Sequence, residues 1–105
     1  MNNISKMIKN ARNALTELMN LTDGDQVLVV SDEASKTIGD SFSTAARQLG
    51  CSVEMYFIPE ENRPLSGIPA DLGPLLAGKI AVINVFKANP RELQFRVQWC
   101  LEVQK

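Results

Sequence analysis

Ser31, Asp32 and Glu33 follow directly on an unbroken apolar run, Val27 to Val30, and are the residues of this chain best placed to do chemistry. Two carboxylates beside a hydroxyl have the donor chemistry for a divalent cation such as Mg²⁺. The same side chains can instead accept hydrogen bonds from the free amides that open the next helix, with Glu33 complementing its positive end. Further along, Asn84 is the one polar interruption in the apolar segment Lys79–Phe86. A buried amide needs a partner, so Asn84 is either a satisfied core group or a strand-end residue facing a cleft. Ser31, Asp32, Glu33 and Asn84 are therefore the expected ligand-binding residues, and no catalytic residue and no resident metal or cofactor is expected.

Several classes of activity are poorly served by this sequence. Dinucleotide binding calls for a glycine-rich turn after the first strand, whereas SDEASK has no glycine and two carboxylates that would repel a pyrophosphate. A phosphoacceptor receiver domain would need an aspartate where this chain has Asn84. Histidine is absent altogether, which removes the usual general base and the commonest transition-metal ligand. Cys51 and Cys100 lie far apart without a C-x-x-C partner and are expected to be reduced packing residues. Eleven basic and twelve acidic residues give a formal charge of −1, against a nucleic-acid surface. No apolar run reaches the length of a membrane span and the first segment lacks a signal-peptide core, so a cytoplasmic protein with no membrane partner is expected.

The elements that must position these residues read clearly in the middle of the chain. Val27–Val30 has the β-branched, continuously apolar character of a strand covered on both faces. Ala34, Ile38, Phe42, Ala45 and Leu49 then recur on one helical face, and Gly50 suits a left-handed helix end. Val53–Ile58, closed by Pro59, is a second strand, which makes a right-handed βαβ unit. Before it, residues 2–20 place Ile4, Met7, Ile8, Ala11, Ala14, Leu15, Leu18 and Met19 on one face of an amphipathic helix. After it come a surface connection over 59–68, a short interrupted helix over 70–77, and a third strand over 79–86.

The last segment carries two patterns at once. Phe95, Val97, Trp99, Leu101 and Val103 alternate with polar or small residues, as in a strand, while Leu93, Val97, Cys100 and Leu101 fit a helix. Asn89 as cap, Pro90 at the first helical position and Glu92 at the third favour a helix from Pro90 to Val103, with a fourth strand left open for its second half. On that helix Phe95 and Trp99 lie four apart; they either pack in the core or form a homodimer interface. The whole is expected to be a single α/β domain over residues 1–105, a three-layer sandwich with a small parallel sheet of Rossmann-like or flavodoxin-like type.

The stretch DGDQVLVVSDEASKTIGDSFSTAARQLGCSVEMYFIP is similar in pattern to the amino-terminal region of the aminopeptidase T type (thermophilic leucyl aminopeptidase) metallopeptidases. In that family a leading helix, a Pro-Gly or Asp-Gly turn, a V-L-I-V-type strand, a D-E-A-like helix start and an A-A-R-x-L-G helix end occur in the same order, and VINVFKANPRELQFR resembles later parts of related sequences. The resemblance implies the accessory portion of such an enzyme. The family's paired metal ligands, which include histidines, belong to a later domain, so no catalytic residue is carried over. A noncatalytic accessory or oligomerisation domain is expected, partnered by a second copy or by a catalytic domain; the alternative is a small-molecule or Mg²⁺ binder.

Overall fold

The structure, a computed structural model, describes residues 3–17, 19–87 and 89–104. Its centre is β1 (Gln26–Asp32), where the side chains of Val27, Leu28, Val29 and Val30 are all fully buried. Successive side chains point to opposite faces, and both sets are buried because a layer packs on each face of the sheet. β2 (Ser52–Ile58) and β3 (Ala81–Asn84) flank it in parallel in the order β2-β1-β3, with Val29 opposite Met55 on one side and Ile83 on the other.

Val27 and Val29 face a layer made by α1 (Asn3–Glu17) and α2 (Lys36–Gln48), in a core with Ala11, Leu15, Ala45 and Ala46. Leu28 and Val30 face the opposite layer, where α3 (Leu93–Val103) contributes Phe95 and Trp99 and the β2–β3 connection contributes Leu65 and Leu72. The expected three-layer α/β sandwich with a parallel sheet is thus the observed one.

Several boundaries move. β1 runs two residues past Val30, so Ser31 and Asp32 belong to the strand, and α2 begins only at Lys36. Ala34 lies before the helix and Ile38 is exposed; the buried face of α2 is Gly39, Ser43 and Ala46 together with Ser41 and Ala45. The reason is contact distance. A Cβ on Gly39 would lie 2.8 Å from the Ser31 Cβ, so α2 approaches β1 more closely than a stripe of larger side chains would permit. Gly50 ends the helix region as expected, with φ at +89°. α1 ends at Glu17, with Met19 exposed beyond it; Leu18 lies outside the described residues.

The short helix over 70–77 is a 3₁₀ turn at Gly73–Leu76, and β3 is four residues long instead of eight. The last segment is a 3₁₀ turn, Pro90–Glu92, leading into α3, so its second half is helical and the described residues form three strands. Asn89 caps this segment by accepting from the Arg91 amide at 2.9 Å.

The close approach at Gly39 gives a direct test. Gly39→Val should destabilise the fold by about 2 kcal/mol or more in urea unfolding, because the added methyls meet buried Ser31 and Val85. Gly73→Val, where nothing lies within 4 Å of the added Cβ, is the matched control.

Candidate functional site at the strand ends

The direction of the sheet reverses beside β1: the chain passes from β1 to β2 on one side and then to β3 on the other. In doubly wound sheets that switch point, beyond the carboxyl ends of the strands, is where ligands bind. Asp32 ends β1 there with its side chain fully buried. Its Oδ1 accepts from the Ser35 amide at 2.9 Å, closing the turn into α2, and its Oδ2 accepts from the Lys87 amide at 2.8 Å, tying β1 to the segment after β3.

The connection between β2 and β3 then delivers a cation into the same place. The Arg63 guanidinium, with its side chain 6% exposed, donates from Nη1 to Asp32 Oδ2. Its Nε donates to Glu92 Oε2 at 2.9 Å, Nη2 to Glu92 Oε1, and Nη2 also to the Lys87 carbonyl at 2.8 Å. Glu92 is fully buried too, and its Oε2 accepts a further bond from the Leu65 amide at 2.9 Å. The planar fork of arginine suits this bidentate arrangement, which a lysine could not reproduce.

The protonation states follow from these contacts. Burial alone would raise the pKa of Asp32, but the amides of Lys87 and Ser35 and the Arg63 guanidinium outweigh it and hold the group below its ordinary value. For Glu92 the hydrogen bonds from Arg63 dominate over burial, and the group is again lowered. Arg63 is raised, chiefly by its bonds to Glu92. The cluster is thus an ionised triad of two carboxylates and one guanidinium, with Arg96 adding positive potential at Glu92.

Of the expected ligand-binding residues, Asp32 is spent within this triad. Ser31 is buried beneath Gly39. Asn84, at the end of β3, accepts from Trp99 Nε1 at 2.8 Å, a bond that fastens α3 to the sheet. Glu33 is exposed, on the rim of a cleft of about 590 Å³ that Asp32, Glu60, Arg63 and Lys87 also line; Asn84 is exposed too but does not line that cleft. The four residues therefore do not converge as one site. Phe95 and Trp99 are buried at 0% and 1%, so the apolar patch expected from them lies inside the domain as core; the reason is that this side of α3 covers Leu28 and Val30.

Reading the sequence missed Arg63 and the second role of Glu92. A signal was available: two acids beside apolar segments need a counter-charge, and the connection from Pro59 to Gly78 contains Arg63 as its one basic residue. Among the described residues, no group of three or more His, Cys, Asp and Glu side chains is arranged to hold a metal ion. No helix of the described residues is long and apolar enough to cross a membrane. No family model matches this chain, and no curated protein matches its sequence.

The triad predicts an unusual pH response. Asp32 and Glu92 have lowered folded pKa values, so their contribution is complete above the unfolded carboxylate range at about pH 4 and is lost as pH falls through the folded values. Arg63→Met strands both carboxylates and should cost about 3–5 kcal/mol at neutral pH. The variant should then gain stability on acidification from pH 7 to pH 5, while the parent chain stays flat. Urea unfolding at both pH values reads the two slopes, and parallel slopes would contradict the assignment.

Proposed function

We propose that this chain is a noncatalytic association domain, similar in kind to the amino-terminal accessory portion of the aminopeptidase T type metallopeptidases, and that it works in the cytoplasm by docking rather than by turnover. The observation that carries this reading is the occupation of the switch point by Arg63. Asp32 and Glu92 have their acceptor sites filled by a guanidinium and by backbone amides, which leaves neither free to take a proton from a substrate. Asn84 is likewise engaged with Trp99. Two free cysteines, Cys51 buried and Cys100 exposed, fit a reducing compartment.

Support from the other side of the molecule comes from α3. Its inner face buries Phe95 and Trp99, yet Leu93, Val97 and Leu101 on the outer face remain 61%, 50% and 59% exposed. The helix is thus apolar on two opposite sides, and its own domain covers one of them.

The cleft above the triad supports the second reading, a small-molecule or Mg²⁺ binder, because about 590 Å³ is ample for a small ligand and Glu33, Glu60 and Lys87 line it. A thermal-shift panel of divalent metals, nucleotides and short peptides, with a peptide-hydrolysis assay in parallel, separates the two. The association reading expects no hydrolysis and no shift. A ligand present at 100 times its dissociation constant would stabilise by about 2.7 kcal/mol; such a shift, abolished by Glu33→Gln, would establish the second reading instead.

A further inference from the structure

We infer that the outer face of α3 is the seat of a second copy of this chain, packed antiparallel on the same face about a two-fold axis at Val97. The inference rests on reading the chain as an association domain and names the partner of that domain. The face is distinguished by charge as well as by its leucines. The exposed side chains of α3 and the residue after it are Leu93, Gln94, Val97, Gln98, Cys100, Leu101 and Gln104, none of them an acidic or basic residue, and the charged residues of the helix, Arg96 and Glu102, are half-buried to either side. The outward faces of the other two helices differ: Lys6, Lys9, Arg12 and Glu17 are exposed on α1, and Lys36, Asp40 and Arg47 on α2.

The pattern is also self-complementary. Leu93 and Leu101 stand four residues before and four after Val97, so a two-fold at Val97 sets Leu93 against the partner's Leu101, and the reverse. Antiparallel packing opposes the two helix dipoles favourably. It also brings Arg91, exposed just ahead of α3, to the C-terminal end of the partner's helix, where the negative end of the dipole favours a cation, and does so twice by symmetry. A parallel arrangement would set like charges together. A partner rich in acidic or basic residues finds no counterpart on the uncharged face itself.

The area sets the strength. Eleven residues span about 16 Å of helix, a contact well short of the roughly 800 Å² per partner of a standard stable interface. The pairing is accordingly weak and concentration-dependent.

Light scattering from micromolar to millimolar chain tests it, on the parent, on Val97→Glu, and on Lys36→Glu as a surface control. The parent and the control should rise from one chain mass toward twice that mass, while Val97→Glu stays at one; Val97 is half exposed, so its melting curve should be unchanged. Independently, Val97→Cys in a Cys100→Ser background should form a disulfide-linked dimer when a mild thiol oxidant is added to accept the two electrons. A dimer that persists in Val97→Glu overturns the placement on α3 but keeps an association domain. A single-chain mass at every concentration, with no cross-link, overturns the second copy as occupant. Neither result bears on turnover, which the peptide-hydrolysis assay reads separately.

Discussion

A guanidinium held between two carboxylates, all three nearly out of reach of water, joins parts of the chain that the sheet does not otherwise connect. Asp32 brings the end of β1, Glu92 the start of the last helical segment, and Arg63 the long connection between β2 and β3. Taking three charges out of water is expensive, and such groups yield little net stability over an apolar core of the same shape. Their value lies in the difference between right and wrong arrangements. A displaced connection leaves two buried carboxylates without a cation, so one path for this largely irregular segment is strongly preferred. Other polar contacts secure the same segment, with Tyr56 donating to Asp71 at 2.8 Å and Lys79 paired with Glu54 at 3.0 Å.

The same interaction shapes what the fold can do. A parallel sheet with a switch point beside β1 offers a crevice whose amides and side chains are conventionally left to a ligand. Here the acceptors of Asp32 and Glu92 are taken by Arg63 and by backbone amides of the same chain, and Trp99 takes up Asn84 in the same manner. The chemistry at the strand ends is turned toward holding the domain together. Leu93, Val97 and Leu101 leave one helix face of α3 apolar and uncovered, and the proposed role follows from that contrast.

The strand and helix pattern was legible because it is local. Val27–Val30 announces a strand buried on both faces, and Asn89-Pro90 announces a helix start; both hold. The start of α2 was misplaced because Ser31, Asp32 and Glu33 look like caps, and a cap and a strand-end acid are the same residue type; Asp32 in fact closes the turn before the helix while serving the triad. The double pattern of the last segment has a physical cause as well. A helix apolar on two sides spreads its leucines and aromatics around the wheel, which blurs the period that separates helix from strand. Arg63 was invisible because its partners lie 31 and 29 residues away, and no local rule connects a loop arginine to a distant acid.

Carboxyl carbon shifts of Asp32 and Glu92, followed by NMR through an acid titration with and without Mg²⁺, test the account most directly. Both groups should remain ionised to below the ordinary carboxylate range, and the metal should leave their shifts unchanged. A carboxyl titrating at or above its ordinary value, or one that moves on addition of Mg²⁺, would contradict it, because the switch point would then be open to a ligand.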